Sequence, residues 1–181
     1  MQLNGDKILL KKAIFFDRDG VLNEPIIING RAFAPRKLKD FKIYSEARAV
    51  INNLKNQLYK IIIVTNQKDV GRGIISKDVL EKMHDQLKKI LPIDEIKVCT
   101  CIDECECYKP NPGMLLEAAN KWELDLKKCY IIGDSWRDIG AGYNAGCKTI
   151  LIDRKYDMPM PYKPDIIVNS LKEAEKTILN I

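Results

Sequence analysis

The sequence predicts a doubly wound α/β fold: a mainly parallel sheet with helices on both faces. Two patterns lead there. Short apolar runs alternate with segments of helical period along the 181 residues, as strand–helix–strand crossovers require in a parallel sheet. The polar residues able to do chemistry stand directly behind the apolar runs, at the strand carboxyl ends where such sheets bind ligands.

The elements follow in order. Strands are expected at 13–16, 61–65, 96–100, 130–132, 149–152 and 166–168, all short and rich in branched apolar residues. Ser45 is read as the cap of a first helix, EARAVINNLKNQ, in which Ala47, Val50, Ile51 and Leu54 share a face. Ser76 caps KDVLEKMHDQLKKIL, with Val79, Leu80, Met83, Leu87 and Ile90 inward. Pro112 opens a third helix, a fourth runs from about 137 to 145 and is stopped by Gly146, and a last one spans 171–179. Two irregular excursions remain, 24–44 and 99–108. No repeat, low-complexity run or Gly/Ser linker divides the chain, so one domain over 1–181 is expected, with a cysteine-rich loop at 99–107.

Composition is that of an ordinary globular chain, 46% hydrophobic and 30% charged. Nothing approaches the ~20 apolar residues of a membrane span. The first residues, MQLNGDKILLKKAIFF, carry two apolar pieces split by Lys11 and Lys12, unlike a signal peptide. A cytoplasmic monomer with no membrane partner is the expectation. The formal charge of +5 is spread along the chain, and its densest run, RKLKDFK at 36–42, holds one aromatic. That argues against nucleic acid and accords with a small anionic substrate.

Asp17 and Asp19 stand one residue apart at the end of the first strand. At about 4 Å two unit charges repel by roughly 4 kcal/mol at an effective dielectric of about 20, so something must offset them. Thr65 and Asn66 follow the second strand, Lys109 follows the third and its cysteine loop, and Asp134 and Asp138 follow the fourth. Converging at one sheet edge, these residue types suit phosphoryl transfer. An aspartate can attack phosphorus and form an aspartyl phosphate. A second carboxyl can protonate the leaving oxygen and then take a proton from water. Asp17 and Asp134 could share Mg²⁺, which favours a few carboxylates with phosphate oxygen and waters. Thr65 and Lys109 can bind phosphoryl oxygens, and Gly20 leaves room behind the acids.

At DRDG, TNQ, KPNPG and GDSWRD the chain resembles the haloacid dehalogenase superfamily of aspartate-nucleophile phosphatases; the motifs occur in the family's order over about 13–152. The resemblance implies Asp17 as nucleophile and Asp19 as general acid/base. It implies Thr65 and Lys109 on the phosphoryl group, and Asp17, the Asp19 carbonyl and Asp134 on Mg²⁺, with Asp138 supporting the metal. The intervals after the first and second motifs leave no room for a cap domain, which points to the capless subclass. Within it, DRDGVLNE, VTNQ followed by GRGIIS, and CECYKPNPGML look like the heptose bisphosphate phosphatases and their histidinol-phosphate sister branch. The implied reaction is removal of the 7-phosphate of D-glycero-D-manno-heptose 1,7-bisphosphate; histidinol phosphate, another small phosphometabolite or a nucleic-acid 3′-phosphate are the alternatives.

Pro25, Ile26, Ile27 and Ile28, and Thr65, Asn66, Gln67 and Lys68, align with substrate-contacting segments of that family. The chain departs from it at Tyr108, where an arginine is usual, and at Ser135, where a lysine is common; Arg137 or Lys68 are candidate replacements for the lost cations.

Four of six cysteines, Cys99, Cys101, Cys105 and Cys107, crowd into CTCIDECEC. In a cytosolic chain this reads as metal before disulfide, and four thiolates make a closed, structural zinc site. Free thiols and disulfides are the alternatives. The resembling phosphatases carry a zinc loop here with histidine where Cys101 stands. Cys129 and Cys147 read as buried core thiols, and His84 as a structural residue at a helix edge. Trp136 is open to either a site-mouth or a core reading. Two other classes compete. A signalling receiver would place its acids and threonine in a different order, and a silent phosphate binder would not need every chemical group.

Overall fold

The computed structural model describes residues 11–103 and 105–180. The segment read against a signal peptide lies largely in 1–10, outside the described residues.

The apolar runs form six parallel strands. β1 is Ala13–Phe16; a hairpin of β2, Ile26–Ile28, and β3, Arg31–Phe33, follows it. Then come α1, Ala47–Asn56, β4, Lys60–Asn66, α2, Lys68–Gly71, α3, Lys77–Ile90, and β5, Glu95–Cys99. The second half holds α4, Gly113–Trp122, β6, Tyr130–Gly133, α5, Trp136–Ala145, β7, Lys148–Ile152, β8, Ile166–Val168, and α6, Leu171–Leu179. The sheet order is β5-β4-β1-β6-β7-β8. From β1 the chain winds outward through β4 and β5, then returns to β6 on the other side. The strand order therefore reverses beside β1, and the crevice at its carboxyl end is where such sheets hold ligands.

Alternation along the strands separates two cores. Ile14, Phe16, Ile61, Ile63 and Ile132 pack against α1, α3 and α6 through residues such as Ile51, Leu54, Met83, Leu87 and Leu171. On the opposite face Ala13, Phe15, Ile62, Val64 and Ile131 meet α4 and α5 through Met114, Leu115, Ala118 and Ala141. Cys129 and Cys147 belong to this second core.

Three local expectations change. Ile90, expected inward, is exposed at the last turn of α3, beyond the stretch that packs on the sheet. Ser45 does not cap α1: Glu46 holds that position and makes no side-chain cap. The Ala47 amide donates to the Tyr44 carbonyl at 3.0 Å, so backbone meets the need that a serine hydroxyl would have filled. The 24–44 excursion is partly regular, because Asn29 and Gly30 both take positive φ and join β2 to β3 as a two-residue hairpin turn. Neither this interval nor that between β4 and Lys109 contains a separate cap domain among the described residues. None of the described helices is long and apolar enough to cross a membrane.

Candidate active site

β1 delivers Asp17 to the crevice, and its amide donates to the Ile132 carbonyl at 2.9 Å. The chain then turns sharply: the Leu22 amide returns to the Arg18 carbonyl at 2.9 Å, and that of Gly20 to the Asn23 carbonyl at 2.8 Å. Gly20 has φ +89°, and a Cβ there would collide with Asp134 Oδ2. Glycine thus lets the Asp134 carboxylate from the end of β6 close on the β1 loop.

Lys109 is 2% exposed. Its Nζ donates to Asp17 Oδ1 at 2.8 Å, Asp138 Oδ1 at 2.5 Å and the Val64 carbonyl at 2.7 Å. Asn66 clamps the lysine backbone, accepting its N–H and donating to its carbonyl, each at 3.1 Å. Ser135 starts α5, and its N–H and hydroxyl both donate to Asp138 Oδ2, at 3.1 and 2.7 Å. One carboxylate oxygen each from Asp17, Asp134 and Asp138 can lie within 4.8 Å of the others.

Burial raises the Asp17 pKa to about 7 against the counter-effect of Lys109, with Asp138 and Asp19 adding to the rise. Burial also pushes Asp134 well above the carboxylate range, helped by the charges of Asp17 and Asp138. For Lys109 burial acts downward, but Asp138 and Asp17 outweigh it and raise the ammonium. Asp19 sits differently: it accepts from Arg18, from Asn23 Nδ2 at 2.9 Å and from Gln67 Nε2 at 2.8 Å.

Above this floor opens a cavity of about 470 Å³ lined by Asp17, Asp19, Thr65, Lys109, Asp134 and Asp138. Pro25, Asn66, Tyr108 and Ser135, expected at the substrate, also line it. Three other expected contacts do not: Ile26, Ile27 and Ile28 are exposed on β2, and the hairpin wall is built from Arg31 and Phe33 of β3. Gln67 is also displaced from its expected role. It is 1% exposed and spends its amide N–H groups on Asp19 and Thr65 Oγ1, both at 2.8 Å. Lys68 lies in an adjoining cavity of about 340 Å³ that shares Tyr108, Trp136 and Arg137 with the first.

Tyr156 was missed by sequence reasoning, and no motif in the loop after β7 announces it; it lines the cavity beside Asp134. Burial raises its phenol pKa, and the Asp134 charge adds to this. Arg31 could have been found from the Asn29-Gly30 turn, which marks a hairpin.

The four clustered cysteines lie together, with one sulfur each within 4.8 Å of the others. Cys101 and Cys105 come within disulfide distance, where the sequence reading placed disulfides in general behind metal, while the Cys105–Cys107 and Cys99–Cys105 sulfurs are 3.3 and 3.5 Å apart.

A parallel sheet with buried acids and one lysine at its switch point defines a class, the enzymes that move phosphoryl groups. Comparison with known proteins agrees. The HAD-hydrolase-like family model matches residues 106–174. D-glycero-alpha-D-manno-heptose-1,7-bisphosphate 7-phosphatase of Campylobacter jejuni is 34% identical over 146 residues, covering 78% of this chain and 81% of that protein. D-glycero-beta-D-manno-heptose-1,7-bisphosphate 7-phosphatase of Helicobacter pylori J99 is 29% identical over 163 residues, covering 86% and 90%. The crystal structure of D,D-heptose 1,7-bisphosphate phosphatase from B. bronchiseptica, complexed with magnesium and phosphate, superposes with a TM-score of 0.78 at 26% identity, covering 94% of this chain and 99% of that one. The chain belongs to the HAD-like phosphatases, hydrolases of phosphoric monoesters.

Proposed function

We propose that this phosphatase removes the 7-phosphate of D-glycero-D-manno-heptose 1,7-bisphosphate through an aspartyl phosphate on Asp17. The observation that carries the reading is Asp17 bonded to Lys109 at the cavity floor, beside Asp134 and Asp138. The names of the relatives support the sugar.

The residues fit a divalent cation on charge. Asp17, Asp134 and Asp138 gather about the single ammonium of Lys109. With all three ionised their charge exceeds that of the lysine, and a divalent cation would offset the excess. Asp17, Asp134 and the Asp19 carbonyl would hold it, with Asp138 in support, and it would neutralise charge on the phosphoryl oxygens. Asp17 Oδ attacks phosphorus as the bond to the leaving oxygen breaks, and Asp19 gives that oxygen its proton. Water then attacks the aspartyl phosphate, passing a proton to Asp19, and phosphate leaves with the Asp17 carboxylate restored. Lys109 holds Asp17 in place and sets its charge beside the phosphoryl group, whose oxygens Thr65 binds.

Pro25, Asn66, Tyr108 and Ser135 border the substrate. Arg137, which lies over the Trp136 ring at 4.8 Å and borders both cavities, supplies the cation for the phosphate that is not cleaved. The cysteine loop suits zinc: its four sulfurs gather within 4.8 Å of one another, and four thiolates make a closed, structural zinc site. Bound zinc would brace the segment that carries Lys109.

The test is phosphate release from a panel holding both heptose bisphosphate anomers and histidinol phosphate, with wild type and Asp17→Asn. A heptose bisphosphate should be the best substrate, and Asp17→Asn should abolish turnover while circular dichroism and zinc content stay unchanged. Wild-type turnover by the variant would remove Asp17 from its role, and preference for histidinol phosphate would replace the sugar.

A further inference from the structure

The side chain between the two motif acids is the largest fully buried one among the described residues. Arg18 is 0% exposed. Its Nε and Nη2 face both oxygens of Asp19 at 2.9–3.3 Å, and its guanidinium lies 5.4 Å from the Phe41 ring centre. A buried guanidinium carries five N–H donors and no acceptor, so each face left without a partner is costly. The remaining nitrogen, Nη1, points away from Asp19 and lies 3.3 Å from Nε2 of His84, a residue 66 positions away on α3. His84 is 8% exposed and is the only histidine in the chain.

We infer that His84 is a positioning residue for phosphoryl transfer: it anchors the outer end of Arg18, which in turn aims the Asp19 carboxyl at the leaving oxygen. Because a guanidinium only donates, Nε2 must accept, which puts the ring proton on Nδ1. The imidazole is suited to this. Burial, then the charges of Arg18 and Lys88, lower its pKa to about 4 against Asp19 and Asp85, so it stays neutral and keeps its lone pair. Asn23 and Gln67 hold Asp19 from two other directions. Loss of the histidine acceptor would therefore leave the loop folded while freeing Arg18 to turn toward another partner and pull the carboxyl with it.

The inference rests on Asp19 as the acid, and the leaving group tests both separately. kcat/KM runs only to transfer of the phosphoryl group onto Asp17. In that step the alkoxide of a sugar phosphate needs a proton, whereas p-nitrophenolate departs without one. The measurement compares kcat/KM for p-nitrophenyl phosphate with that for the sugar phosphate turned over fastest in the panel above. His84→Leu should lower the sugar-phosphate value by at least about tenfold and the aryl value by less than about threefold. His84→Gln, whose amide oxygen can reach the Nε2 position, should return the sugar-phosphate value to within about threefold of wild type. Asp19→Ala sets the reference, with a larger loss of the same selectivity. Equal losses on both substrates in His84→Leu, or none, overturn the inference while Asp19 keeps its role. Equal losses in Asp19→Ala overturn the role of Asp19 and the inference together. His84→Asn, whose amide falls short of Arg18, carries the same expectations if the leucine variant does not fold.

Discussion

Magnesium should stabilise this protein more as pH rises, because the cation must displace a proton from Asp17. In the cation-free fold burial holds that carboxyl at about 7, against an ordinary 3.8. The unfolded chain releases the proton near pH 4, so between there and pH 7 the folded state binds more protons and loses stability as pH rises. The shift is about three pKa units, roughly 4 kcal/mol when fully expressed above pH 7. A cation that binds only the ionised site removes this penalty. In excess Mg²⁺ its stabilisation should grow by at least about 1.4 kcal/mol per pH unit from about pH 5 to pH 7, because Asp134, also held well above the carboxylate range, must give up its proton to the cation too. The assay is urea unfolding at a series of pH values, in chelator and in saturating Mg²⁺. Taking the difference at each pH cancels groups remote from the cation, including His84, whose lowered pKa acts with the opposite sign. Asp17→Asn should lower the slope by about one proton's share and leave the part that belongs to Asp134. A magnesium effect that is the same at both ends of the range, or larger in acid, would refute this account of the site's charge.

Other outcomes follow from the same contacts. Lys109→Met leaves Asp17 and Asp138 without their buried partner; urea unfolding in chelator should show a loss of roughly 3–5 kcal/mol, and phosphate release should be absent. Cys107→Ser should lower bound zinc from one equivalent toward none by metal analysis, with a fall in turnover that added Mg²⁺ does not reverse. Arg137→Ala should raise KM for the bisphosphate by about tenfold or more with a much smaller change in kcat, since it removes binding remote from the reacting bond.

Much of the scaffold was legible because its strands are buried on both faces. AIFF and KIIIV suit the middle of a covered parallel sheet, and the helical segments between them select that use. The polar residues behind them then fall at the switch point by topology alone. Contacts made across the loops were harder to read. Ser45 looked like a cap because sequence shows the hydroxyl and not the Tyr44 carbonyl that meets the helix amide instead. Gln67 follows two residues that line the cavity, yet a turn of backbone sends its amide beneath the floor to Asp19 and Thr65. His84 lies among the inward residues of α3, and nothing in its spacing reveals Arg18 on the other side of the interface.

Of the two positions where the chain departs from its family, the structure ties one, Ser135, to the floor of the site. Ser135 uses its hydroxyl on Asp138, which accepts from Lys109, which bonds Asp17. A lysine at 135 would carry a cation into the cavity but could not make that hydroxyl contact, and one bond holding the buried carboxylate would be lost. The cation is found instead two residues on, at Arg137 in the first turn of α5, where it borders both cavities without touching the Asp138 bonds. In the proposed reaction, positioning of the reacting groups and recognition of a distant phosphate would thereby be divided between neighbouring residues at one helix end: Ser135 serves the carboxylate below, and Arg137 borders the cavity above.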